Sequence, residues 1–178
     1  MQEKFPTESF EDRYEDEARI NIDLSYALKL MSEASDAHKE GDINKAIELY
    51  KESIAFCPTA DAHTYLGWMY SFQDRFEEAI EECHQAIEID PDFGNPYNDI
   101  GSYLMELKEF DEAVEWLEKA KSASRYESRH LPYMNLARRH ILRDEHGKAI
   151  GELYGAIQRA PEEAFLQNRF KELLSMLN

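Results

Sequence analysis

The sequence is short of several things at once. It has two cysteines, Cys57 and Cys83, in 178 residues, and they form no CxxC pair. That excludes a disulfide framework and fits a reducing compartment. No apolar run approaches the ~20 residues that a spanning helix needs. The opening stretch, MQEKFPTESFEDRYEDE, lacks the basic region and apolar core of a secretory leader, so the expected location is the cytoplasm. Glycine is scarce, at seven residues, and none of it forms a phosphate-cradling loop. Positive charge is scarce too: 20 Lys and Arg stand against 37 Asp and Glu, a net charge of −17. A chain this acidic is repelled by phosphate backbones and anionic lipid, so neither nucleic acid nor membrane is expected as a partner.

What is present is a repeat. Hydrophobic residues make up 43% of the chain, enough for a core and too many for a disordered polymer. Three segments end alike, AIELYKESIAFCP, AIEECHQAIEIDP and AIGELYGAIQRAP, and a fourth, AVEWLEKAKSASR, matches without the proline. Their anchoring residues Ala46, Ala79, Ala113 and Ala149 are spaced by 33, 34 and 36 residues. Twelve residues before each stands another small residue, Ala34, Gly67, Gly101 or Ala137, and twelve after come Pro58, Pro91, Arg125 and Pro161. Spacing is constant within a unit and varies only between units. This describes a rigid two-helix module joined by adjustable loops.

In the second half of each unit, small and apolar residues recur at helical spacing, as in Ala79, Ile80, Cys83, Ala86 and Ile87. Polar breaks such as Gly41-Asp42 and Asp74-Arg75 separate the halves, and a proline halts three of the second helices. No stretch alternates with a period of two for long enough to make a sheet, so an all-α fold is expected. One helix pair cannot bury its apolar face alone and must stack on neighbours. Gly67 and Gly101 should let the partner helix approach, with Tyr50, Tyr70, Leu104, Leu117 and Leu153 filling the adjacent gaps.

Leu66-Gly67-Trp68-Met69-Tyr70, Ile100-Gly101-Ser102-Tyr103-Leu104 and the alanines of the second helices resemble the tetratricopeptide repeat family. The resemblance covers residues 27–161 and implies a right-handed α-solenoid of four helix-turn-helix units, about 27–59, 60–93, 94–129 and 130–161, within a repeat region of 23–161. Glu33, Ala37 and His140 depart from the family's usual residues. Residues 1–22 form an acidic segment outside the repeats, expected to be partly ordered or helical, with a capping box possible at Ser9 and Asp12. It is read either as a leader into the first repeat or as a segment docking in the protein's own groove. Residues 162–178 read as a C-terminal capping helix with Ala164, Phe165, Phe170, Leu173, Leu174 and Leu177 along one stripe. Gly151 and Gly155 are expected to pack closely against this cap, with a dimer contact as the alternative.

No catalytic residue, cofactor or metal ligand set emerges. There is no HExxH motif, and none of the six histidines lies three or four residues from another. The family resemblance instead implies a groove lined by the first helices. The matching positions are Met31, Ser35 and His38, then Thr64, Trp68 and Phe72, then Asn95, Asn98 and Met105, and finally Met134, Arg138 and Ile141. Trp68 could serve as core support or as a ligand contact. The members that grip acidic chaperone tails use Lys, Asn and Arg at positions held here by Met31, Ser35, Tyr65, Asn95 and Asp99, so that clamp is missing. Between Ser122 and Lys148 the local charge turns to +3, with Arg139 and Arg143 expected near the edge or surface and Arg138 in the groove. The function expected is a non-catalytic adaptor for a protein or peptide partner, with a homodimer through the cap or the Gly151 helix as the alternative.

Overall fold

The computed structural model describes the backbone of residues 10–176 and the side chains of residues 19–176. Its elements are all helical: α1 (Phe10–Lys39), α2 (Ile43–Phe56), α3 (Ala60–Ser71), α4 (Phe76–Ile89), α5 (Gly94–Glu106), α6 (Phe110–Ser122), α7 (Leu131–Leu142), α8 (His146–Arg159) and α9 (Ala164–Ser175). Among the described residues the only β-type contact is an isolated bridge between Phe93 and Arg125. Ser9 of the expected capping box and Leu177 of the expected cap stripe lie outside the described residues.

The turn inside each pair is the same turn four times. Gly41, Asp74, Lys108 and Asp144 have positive φ, at 85°, 56°, 66° and 56°. Each lies five residues before the anchoring alanine of its unit. The next amide reaches back to the end of the preceding helix: Asp42 N–H donates to Ala37 O at 2.9 Å, Arg75 to Tyr70 at 3.2 Å, and Glu109 to Leu104 and Glu145 to His140 at 2.8 Å. Left-handed backbone followed by such a bond satisfies carbonyls that a helix end otherwise leaves open. Gly41 adopts it freely, while the other three residues meet a steric cost that the surrounding packing offsets.

The small residues do what their positions suggest. A β-carbon on Gly67 would stand 2.8 Å from the Ala79 carbonyl oxygen, and one on Gly101 would stand 2.6 Å from Leu117 Cγ. Only glycine permits this approach of α3 to α4 and of α5 to α6. Tyr50, Tyr70, Leu104, Leu117 and Leu153 are all buried.

Two expectations are corrected. The cap α9 buries Leu166 and Leu173 and half-buries Phe170 against α7 and α8, an i, i+4, i+7 stripe, while Phe165 and Leu174 stay 47% and 38% exposed. The stripe that meets the stack is thus rotated by about one residue, because its register is set by Leu153, Ala156 and Ala160 opposite. Gly155 packs on Tyr133 of α7 rather than on the cap, and Gly151 faces nothing within 4 Å.

Stacking is asymmetric. The first helices of neighbouring pairs touch, α3 with α5 and α5 with α7, whereas no second helix makes a comparable contact with another. The first helices therefore crowd along one side and the second helices splay on the other, which makes the first-helix face concave.

Candidate functional site

The concave face has two open regions joined by a polar middle. At the first, His38 of α1 meets Trp68 of α3 and Phe72 just after its end, with ring centroids 4.6 and 5.3 Å apart. Trp68 and Phe72 lie one turn apart, 5.6 Å between centroids, and stay 41% and 53% exposed. Met31 and Ser35 are half-buried within two turns of His38 on α1. Three rings in contact, with two of them open, form an apolar platform.

The middle is closed. Thr64, Asn98 and Met105 are buried, so they contribute to packing beneath the face and not to its open surface. The Thr64 hydroxyl donates to Ala60 O at 2.7 Å within its own helix. Asn135 Nδ2 donates to Asn98 Oδ1 at 3.0 Å, and Asn98 Nδ2 donates to Asp99 Oδ1 at 3.2 Å, which ties α7 to α5. Asn95 remains half-buried. Burial pushes the Asp99 carboxyl up to about 7, only partly countered by the Asn98 bond.

The second open region is a groove of about 700 Å³ between α7, α8 and α9. Met134, Ile141, Leu142 and Phe165 form its apolar walls, and Arg138, Arg169 and Glu172 supply charge. It brings together three of the residues expected from sequence, Met134, Arg138 and Ile141. The cap residues Phe165 and Arg169 were not anticipated as groove residues. Their signal was present: they lie four apart on the side of the α9 stripe that the stack leaves uncovered. Arg138 reaches Glu106 on α5, and Arg169 Nη1 lies 3.2 Å from Glu172. Both pairs are about half exposed, so their net attraction is small and a ligand carboxylate can compete for either arginine.

The other basic residues are largely committed to structure. Arg125 stacks on Phe93 at 3.8 Å and its Nε donates to Asp90 at 2.7 Å. Arg139, expected near the surface, is instead 8% exposed, bonded to Glu145 at 2.8 Å and Asp111 at 3.1 Å. It is buried because α6 and the α7–α8 turn close over it from both sides. The Glu145 carboxyl is held below its usual range, chiefly by the bond from His140 and also by Lys148 and Arg139. Arg143 is exposed beside Leu142 and makes no ion pair among the described residues. His63 bonds Glu82 and His140 bonds Glu145, and no group of three His, Cys, Asp or Glu among the described residues is placed to hold a metal. No helix among them is long and apolar enough to cross a membrane.

Residues 60–93 and 95–126 match the tetratricopeptide repeat family. Over 98 residues the chain is 32% identical to the small glutamine-rich tetratricopeptide repeat-containing protein 2 of Mycosarcoma maydis, covering 54% of this chain and 28% of that protein. It is 32% identical over 99 residues to DnaJ homolog subfamily C member 7 of Mus musculus, covering 52% of this chain and 20% of that protein. The chain thus spans under a third of the length of these curated relatives. Among solved structures it resembles Pseudomonas aeruginosa pilF, with a TM-score of 0.77 at 19% identity over 85% of this chain and 69% of that one. It also resembles the second such domain of Spaghetti (RPAP3) bound to the HSP90 peptide SRMEEVD, with a TM-score of 0.56 at 26% identity over 61% of this chain and 99% of that one.

Proposed function

Starting from the fact that this chain is a tetratricopeptide-repeat protein, we propose that it is a non-catalytic adaptor whose concave face receives a segment of a protein partner. The observation that carries this reading is the α7–α9 groove, where Met134, Ile141 and Phe165 offer apolar contact beside the half-exposed Arg138. An apolar cleft with one or two convergent charged groups is the usual form of a recognition site. Arginine and aromatic residues are the commonest energetic anchors at interfaces. The Trp68 and Phe72 platform would hold a second part of the same segment.

A segment of this kind carries apolar side chains flanked by carboxylates. Its carboxylates would meet Arg138 and Arg169, because Met31, Ser35, Tyr65, Asn95 and Asp99 supply no basic clamp. A partner isolated by affinity capture and then purified should bind Arg138→Ala roughly tenfold more weakly than the wild type. The melting temperature should hardly move, since an exposed ion pair contributes little. Unchanged affinity overturns the assignment of the groove.

A further inference from the structure

The chain carries, at its other end, a segment with the chemistry this groove selects. We propose that the acidic N-terminal segment of one copy docks in the α7–α9 groove of a second copy, giving head-to-tail self-association. The inference rests on the groove reading above and names an occupant for it.

The composition of the segment matches the groove. Up to Asp23 the chain has eight acids against Lys4, Arg13 and Arg19, with Phe5, Phe10, Tyr14, Ile20 and Ile22 interleaved. That is an apolar segment flanked by carboxylates. The groove presents the complement: apolar walls from Met134, Ile141 and Phe165, with Arg138 and Arg169 held only by half-exposed pairs to Glu106 and Glu172.

The placement of the segment fits as well. Tyr26 of α1 meets Phe56, the last residue of α2, with ring centroids 4.5 Å apart. Upstream of it α1 continues to Phe10, so about 24 Å of helix extends past its partner at 1.5 Å per residue. Ile20 and Ile22 on this extension are 61% and 68% exposed. Covering either one removes apolar surface from water and so favours docking.

The order of the helices decides between one copy and two. α1 packs on α2, at one end of the stack, and α9 packs on α8, at the other. A continuous helix leaving along its own axis does not turn back over the seven helices between. The helical part of the segment, from Phe10, therefore points toward another molecule and not toward its own groove. Such a contact joins two different surfaces, so each copy keeps a free groove and a free segment, and association continues beyond two.

The test uses two variants of the full chain at exposed positions. Arg138→Glu with Phe165→Ser disables the groove, and Ile20→Ser with Ile22→Ser disables the segment; unchanged circular dichroism melts establish that both fold. In light scattering across a concentration series, the wild-type mass should rise past that of two copies. Each variant alone should associate at least about tenfold more weakly. Their equimolar mixture should form a one-to-one pair and stop there, since one copy supplies the intact groove and the other the intact segment. A wild-type chain that stays monomeric, a variant that associates as well as wild type, or a mixture that does not pair overturns the proposal. A monomeric wild type leaves the groove itself to be judged by partner affinity for Arg138→Ala, so the two readings fail separately.

Discussion

Gly155 on α8 faces the ring of Tyr133 on α7 with no room for a β-carbon, which would stand 2.6 Å from Tyr133 Cδ1. The ring cannot easily yield, because Arg159 lies 3.9 Å from its centroid and Lys121 4.3 Å from it. One turn earlier on the same helix, Gly151 faces open space. Two glycines in one motif therefore have opposite meanings. Gly155→Ala should destabilise the chain by about 1–3 kcal/mol through overpacking. Gly151→Ala should stabilise it by about 0.5–1 kcal/mol through helix propensity alone. Thermal melts of the two variants should move in opposite directions, and a shift of the same sign in both would contradict the contact.

Asp99 links acidity to stability. Its carboxyl is pushed up to about 7 by burial, from an ordinary value of 3.8. Between those values the folded chain holds a proton that the unfolded chain has released. Stability is then greatest below the lower value and falls as pH rises through the window. Asp99→Asn should abolish this contribution to the slope, leaving the variant relatively more stable at about pH 8 than at about pH 4 in urea titrations. A pH-independent difference between variant and wild type would argue against a raised carboxyl.

The two thiols should differ in reactivity. Cys83 is fully buried and burial pushes its thiol well up, whereas Cys57 at the end of α2 is half-buried. A thiolate must form and be reached before it alkylates. Mass spectrometry after native iodoacetamide treatment should find Cys57 modified and Cys83 intact until denaturant is added. Labelling of both at equal rates would mean that α3 and α4 separate readily.

Trp68 should matter to binding more than to folding. It is 41% exposed and touches only His38 and Phe72 among the aromatic side chains of the described residues. Trp68→Ala should leave the melting temperature within a degree or two, as surface substitutions usually do. If the platform forms part of the binding face, partner affinity should drop by about tenfold or more. Loss of stability without loss of affinity would place Trp68 in the scaffold.

Much of the fold is legible in one dimension, and the residues say why. Ala46, Ala79, Ala113 and Ala149 recur because every unit needs the same close approach, and the left-handed residue five places earlier recurs because every turn is the same. The groove positions are less legible. Met31, Trp68, Phe72 and Arg138 remain at or near the surface, while Thr64, Asn98 and Met105 at equivalent-looking places are buried. Helical periodicity assigns a side chain to a direction on its own helix. It does not state how closely the next helix crosses at that height.

By itself, then, the sequence determined the all-helical repeat, its register, its small-against-large packing and the acidic balance of the chain, since each depends on spacing along one helix or on composition. Tertiary structure decided the rest. It turned Arg139 inward and left Arg138 open, chose Leu166 over Phe165 for the cap's buried stripe, and gave Gly155 a neighbour that Gly151 lacks. In each case the deciding atoms lie on another segment, brought near by packing between helices that spacing along one helix does not encode.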